Sequence, residues 1–352
     1  AYEIVSRDWS SDVCSSDLKV KTLFEGIGRK ALPARPTVPQ KPQEAAHYTF
    51  DTDRPNGSVI LTMRMPGLDN PDFPALEILS DALSSERGAL YQLVPQGKSL
   101  GTDFSLYALP NAGLIYAAGA FAEGEDPKVL EGELRGVLSD IVKNGVPPEL
   151  IAAAKLQERR GAEFQKNSIS GLASVWAEAV AVYGLNSPDD DLTRIGKVTV
   201  ADVNRVAKKY LDLDHAVVAV MVPRGSGAPV ASGGGFGGQE NIALGETADT
   251  KLPEWAESAL NNLTVPPSTI RPVVSTLPNG LTLIVQPEDV SNTVTVYGHI
   301  KTRPEMLQPQ GKEGVAQILG ELFSYGTEHL DRLAFQAALD EIGAGEFAGS
   351  DF

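Results

Sequence analysis

The chain has 352 residues, 42 % of them hydrophobic and 22 % charged, which is enough for two or more domains around a sizeable core. Its 30 Lys and Arg against 46 Asp and Glu give a formal charge of −16, a balance that repels phosphate backbones and anionic lipid and excludes nucleic acid as the expected partner. No apolar run approaches the ~18 residues of a membrane span, no charged-then-apolar signal pattern opens the chain, and the single Cys14 permits neither an internal disulfide nor a thiolate metal cluster.

Residues 1–18 do not read as fold. Ser10-Ser11-Asp12-Val13 recurs five positions on as Ser15-Ser16-Asp17-Leu18, and the run from Arg7 to Leu18 looks like translated adapter sequence; a short disordered arm has the same consequence. Residues 19–46 pass from Val20-Lys21-Thr22-Leu23-Phe24 through Gly26 and Gly28 to Pro33, Pro36, Pro39 and Pro42, a helix end running into an extended, proline-stiffened linker.

Residues 47–224 read as one domain. A mostly apolar strand over residues 58–67 precedes Phe73, Leu76, Leu79, Ala82 and Leu83, whose spacing predicts a helix that continues through Val94. Strands follow near residues 101–109 and 112–121, turned by Pro110-Asn111. Leu130, Leu134, Val137, Leu138 and Ile141 mark a helix ending at Gly145, and a longer helix over residues 149–164 opens acidic and closes with Arg159 and Arg160, as the macrodipole favours. Leu172, Val175, Trp176, Ala179, Val180 and Tyr183 predict another core face. Asp189-Asp190-Asp191 marks a helix start rather than a calcium loop, which needs oxygen ligands alternating over about twelve residues. Thr199-Val200-Ala201-Asp202 reads as a capping box, and a strand over residues 216–222 closes the domain. This order implies an α+β fold of two layers, a mixed or antiparallel sheet with helices packed on one face.

Residues 225–265 form a Gly/Pro-rich connection. Gly233-Gly234-Gly235-Phe236-Gly237-Gly238 lacks the following Lys-Ser or Lys-Thr of a phosphate loop, so a flexible tether is the better reading. In residues 266–352, the Asn279-Gly280 turn separates Val273-Val274-Ser275-Thr276 from Leu281-Thr282-Leu283-Ile284-Val285, a strong hairpin signal, and a third strand is expected over residues 293–300. In GVAQILGELFSYGT, residues 314–327, Val315, Ile318, Leu319, Leu322 and Phe323 fall on one helical face, which argues for a helix packed on a sheet and stopped at Gly326.

The order LPNGLTLIV, then a strand ending near Lys301-Thr302-Arg303-Pro304-Glu305, then a Gly-x-Ala and a Gly-Thr nine residues apart closely resembles the opening of one half of the insulinase, pitrilysin and mitochondrial processing peptidase family. Residues 47–224 are similar to the second domain of such a half through the run from Leu83 by Ser85-Glu86-Arg87 to Tyr91, the step Gly145-Val146-Pro147-Pro148-Glu149-Leu150, and Val198-Thr199-Val200-Ala201-Asp202-Val203. The resemblance covers residues 19–224 and 266–352.

In that family the helix carries the inverted zinc motif H-x-x-E-H, whose two histidines hold the metal while the glutamate polarises its water. Laid onto this sequence, the histidine positions fall on Gln317 and Glu321 and the glutamate position on Gly320, so none of the three is kept. The resemblance therefore implies repeated two-layer domains of metalloprotease-half type: residues 19–46 joining an upstream zinc domain, 47–224 as the second domain of the first half, and 266–352 as the start of a second, non-catalytic half. It implies no catalytic centre, cofactor or metal in this chain, zinc in the full-length parent, and a peptide or unfolded polypeptide as substrate. A bacterial-type parent in an extracytoplasmic compartment is favoured over a cytoplasmic one. A second reading stays open, in which the parent is a non-catalytic binding or assembly subunit of the same family. At Arg87, where the family often has Ser-Arg-Leu, a structural arginine bonded to a neighbouring carbonyl is expected rather than a substrate contact. His215, His299 and His329 are scattered without metal-binding spacing.

Overall fold

The computed structural model describes residues 21–22, 25–26, 28, 43–224, 271–299, 311 and 315–349. The chain divides into two units, Ala1–Pro39 and Gln40–Phe352. In the first, Lys21 and Thr22 are helical, and the Glu25 amide donates to the Lys21 carbonyl at 2.7 Å. The second holds a five-stranded sheet with its helices, a two-stranded hairpin and two further helices.

Strands β1 (Ala46–Thr52), β2 (Asn56–Met65), β3 (Gly101–Leu109), β4 (Ala112–Ala122) and β5 (Val217–Pro223) lie in the order β1-β5-β2-β4-β3. Only β1 runs parallel to its neighbour β5; the other pairings are antiparallel. Strand periodicity puts Val59, Leu61 and Met63 of β2, Ile115, Ala117 and Phe121 of β4, and Val218 and Val220 of β5 on one buried face. β1 was not foreseen from the sequence, because its hydrogen-bonding partner lies some 170 residues on and its own face carries the polar His47, Thr49 and Asp51.

The buried face is covered by helices whose apolar stripes the spacing had marked. In α1 (Phe73–Ser84), Phe73, Leu76, Leu79 and Leu83 are buried, and in α2 (Pro127–Asn144), Leu130, Leu134, Leu138 and Ile141 are. Each such leucine contributes roughly 1.5–3 kcal/mol when removed from water. Gly145 ends α2 at φ +88°, a conformation that favours glycine. α3 (Pro148–Gln165), α4 (Ile169–Ala181) and α5 (Pro188–Lys197) follow, and the three aspartates do open α5. α6 (Val200–Tyr210) starts with a complete capping box: Thr199 Oγ1 accepts from the Asp202 amide at 3.2 Å, and Asp202 Oδ2 accepts from the Thr199 amide at 3.1 Å.

Three expectations in this domain are corrected. The helix of residues 73–94 ends at Ser84, because Ser85 turns extended and its carbonyl takes the Gly88 amide at 2.7 Å; only a short 3-10 turn, Tyr91–Leu93, follows. α4 does not turn a core face inward, since Ala179 alone is buried while Ile169 is 73 % exposed and Trp176 45 %. Periodicity reveals an apolar stripe but not what covers it. Arg87 does not bond a neighbouring carbonyl; its partner is Asp340, 253 positions away.

Beyond the connection, which lies outside the described residues from 225 to 270, β6 (Val273–Thr276) and β7 (Thr282–Val285) form the expected hairpin, with Gly280 at φ +85° in its turn. Residues 293–299 form no strand, and Val294, Val296 and Tyr297 stand in solvent. α7 (Val315–Leu322) runs into a 3-10 turn, Phe323–Tyr325, and stops at Gly326 as expected. Its Val315, Ile318, Leu319 and Leu322 are exposed rather than packed on a sheet. α8 (Arg332–Glu341) is capped by Asp331, whose Oδ1 accepts from the Ala334 amide at 2.8 Å.

Candidate functional site

Residues 317, 320 and 321, on which the resemblance lays the zinc motif, occupy about one turn of α7. Residues 317 and 321 are separated by four positions and so share a helix side, and Glu321 is exposed. Gly320 faces backbone: a Cβ added there would lie 3.1 Å from the Ala348 carbonyl oxygen and 3.2 Å from the Gly349 Cα. A glutamate at this position has no room without movement of residues 348–349. Among the described residues no three His, Cys, Asp or Glu converge so as to hold a metal. The described residues do not fit a zinc centre.

The histidines are not brought together. His47 Nε2 lies 3.3 Å from Glu131 Oε2 on α2, and His215 Nδ1 lies 2.7 Å from Asp212 Oδ2. His299 and His329 are exposed in the second part of the unit.

Two polar clusters passed unnoticed in the sequence. The first centres on Asp72, buried ahead of α1, whose carboxylate accepts from Arg205 Nη1 at 2.7 Å, Lys209 Nζ at 3.0 Å and Tyr210 Oη at 2.8 Å. Burial pushes this carboxyl up, but the bonds from Lys209, Tyr210 and Arg205 together outweigh it and hold it at about 2. The cluster ties the start of α1 to the last two turns of α6.

The second is a layer of carboxylates between helices: Glu77 and Asp81 on α1, Glu158 on α3, Glu178 on α4 and Asp191 on α5. Burial, then the charges of Asp191, Glu158, Asp81 and Glu178, raises the Glu77 carboxyl to about 9. Burial and the neighbouring Glu158 raise Asp81 to about 8. Glu77 Oε2 and Asp81 Oδ2 are buried without a hydrogen-bond partner among the described residues. Arg194 offsets part of the effect at Asp191. The i, i+4 spacing of Glu77 and Asp81 inside an apolar run was the available signal, since it puts both acids on one side of a helix buried almost all round.

Two open clefts flank the Asp69-Asn70-Pro71 turn beside the Asp72 cluster. The larger, about 720 Å³, is lined by Arg64, Asn111, Lys209, Tyr210 and His215 among others, and the second, about 580 Å³, by Arg194, Lys197 and Arg205. The polar groups that line the first are largely committed to one another: Gln43 Nε2 donates to the Thr62 and His215 carbonyls, and Lys209 and Tyr210 bind Asp72. No nucleophile with an adjacent base stands in either.

The other face of the five-stranded sheet is largely half-buried or exposed, with Thr52 at the end of β1 as its buried residue. Registered pairs place Phe50, Met221, Ser58, Ala120 and Gly101 in one row and Tyr48, Ala219, Ile60, Ala118 and Asp103 in the next. Tyr48 and Phe50 stack at 6.3 Å between centroids, and Tyr107 and Leu114 extend the exposed apolar surface toward the far edge.

The family model described as the Peptidase M16 inactive domain matches residues 17–158. The fold is similar to that of a protease from Helicobacter pylori, with 20 % identity and a TM-score of 0.53, covering 60 % of this chain and 54 % of that one. It is also similar to the first half of the periplasmic protease PqqL from Escherichia coli, with 13 % identity and a TM-score of 0.50, covering 60 % and 49 %. The chain thus spans about half the length of these relatives, and at such identities the likeness is one of fold. Comparison with curated proteins finds no match.

Proposed function

We propose that this chain is a non-catalytic part of a zinc metalloendopeptidase, because the model of the peptidase M16 inactive domain matches residues 17–158 and the sequence resembles the insulinase and pitrilysin family. Its share of the work is to enclose a peptide or unfolded polypeptide while an upstream domain of the same protein carries the metal. The match to an inactive domain carries this reading, and the absence of His, Glu and His at 317, 320 and 321 agrees with it. The exposed sheet face supplies the wall: Tyr48, Phe50, Ile60, Leu114 and Tyr107 offer apolar contact without a specific polar anchor, which suits a binder of varied sequences. An extracytoplasmic site of action is part of the proposal and is supported by the periplasmic location in the name of the Escherichia coli relative.

The test compares this chain with the parent that includes the upstream coding sequence, both offered an unfolded protein such as casein. The parent cleaves and a zinc chelator stops it, while this chain alone does not cleave; substituting Phe50→Ser with Tyr48→Ser in the parent raises KM more than it lowers kcat. Chelator-sensitive cleavage by this chain alone overturns the reading. A parent that binds casein but never cleaves it would instead establish a binding subunit.

A further inference from the structure

Helix α8 and its flanks meet the five-stranded domain through contacts between residues 246 and 253 positions apart. Arg87 Nη1 donates to Asp340 Oδ2 at 2.8 Å, with the two side chains only 20 % and 11 % exposed. Arg332 Nη1 donates to the Glu86 carbonyl at 2.8 Å, and its guanidinium lies 5.2 Å from the centre of the Tyr91 ring. Each part therefore offers an arginine to the other. α8 also packs on α3, and after its end the backbone comes so close that a Cβ on Gly343 would lie 3.0 Å from Leu156 Cγ and one on Gly345 2.9 Å from an Arg160 guanidinium nitrogen. A separate, exposed contact joins Asn167 to Ser291 and Thr293. By contrast, the apolar faces of α7 and of the β6–β7 hairpin remain exposed.

The pairing is specific in a way that a covalent tether does not require. A guanidinium–carboxylate bond shielded from water is strong only when both partners are present, and removing one leaves a charge poorly solvated. Stacking of Arg332 on Tyr91, while its Nη1 binds a carbonyl, fixes the orientation of α8 as well as its position. Close backbone approach at Gly343, against Leu156, makes the fit steric as well as electrostatic.

We propose that residues 332–346 are a docking element that holds the second part of the chain on the five-stranded domain without need of the covalent connection, with Arg87–Asp340 and Arg332–Tyr91 as its recognition contacts. The surface it binds is the segment Glu86–Tyr91 that follows α1 with the adjoining side of α3, and its partner is this one segment of the same chain. The inference is independent of whatever reaction the parent performs.

The test replaces Gly233 to Gly238 with a protease recognition sequence, cuts the purified full chain there, and measures association of the two fragments by sedimentation at tens of micromolar. The fragments sediment together as one 1:1 complex. Arg87→Glu weakens the association roughly hundredfold, the scale expected for an uncompensated shielded charge. Arg87→Glu with Asp340→Arg restores most of it, and the restored variant also shows that the single substitution did not act by unfolding the domain. Separation of the unsubstituted fragments, no effect of Arg87→Glu, or equal weakening in the single and the reversed pair each overturns the proposal. A complex of twice the mass overturns the pairing within one chain in favour of exchange between two copies.

Discussion

Gly320 and Ala348 meet backbone to backbone, so that a Cβ at 320 would stand 3.1 Å from the Ala348 carbonyl oxygen. This contact decides what restoring the zinc motif would do. Gln317→His with Glu321→His puts two imidazoles four positions apart on α7 and creates a weak two-nitrogen zinc site, measurable by calorimetry. Adding Gly320→Glu lowers the melting temperature instead of producing a peptidase, because residues 348–349 must give way. The unsubstituted chain keeps no stoichiometric zinc after dialysis; zinc retained there and lost on Glu321→Ala would refute the assignment of these positions.

Asp72 is the one carboxylate on which Arg205, Lys209 and Tyr210 converge. Asp72→Ala is expected to lower unfolding free energy by about 2 kcal/mol, a figure kept modest because Arg205 and Lys209 are half exposed and regain water. The folded carboxyl at about 2 lies below the ordinary 3.8, so its stabilisation is present above pH 3.8 and is lost as the pH falls through 3.8 toward 2. Denaturant melts of wild type and Asp72→Ala between pH 6 and pH 2 should therefore converge at the acid end.

The acid layer works in the opposite sense. Glu77, at about 9 against 4.5, and Asp81, at about 8 against 3.8, stay protonated in the fold while ionised in the unfolded chain. Unfolding releases protons across that interval, so this stability is complete below pH 4, declines as the pH rises through neutrality, and is gone above pH 9. Glu77→Gln should leave stability at pH 5 nearly unchanged and raise it at pH 8 by about 1–3 kcal/mol. A melting temperature that rose from pH 5 to pH 8 in wild type and fell in Glu77→Gln would contradict this account.

Two apolar helix residues should respond very differently. Leu134 in α2 is fully buried, and Leu134→Ala is expected to cost about 2–5 kcal/mol. Ile169 in α4 is 73 % exposed, and Ile169→Ser should stay within about 0.5 kcal/mol of wild type in urea melts.

What the amino-acid sequence determined by itself is local. Thr199 and Asp202 cap α6, Gly145 ends α2, Asn279 and Gly280 turn the hairpin, and Pro188 with three aspartates opens α5, because each depends on backbone groups within a few residues. That positions 317, 320 and 321 hold Gln, Gly and Glu is likewise legible without coordinates, and so are the α+β class and the resemblance to a peptidase family. Tertiary structure alone decided the rest. β1 needed β5 to become a strand, α4 and α7 showed apolar stripes whose covering lies elsewhere or nowhere among the described residues, and Arg87 took a partner from α8. Asp72 with its three donors, and the five carboxylates that share one layer, are sets gathered from distant helices. Side-chain identity limits what each residue can bind, but only the packing of helix on helix and strand on strand brings such partners within a hydrogen bond's length.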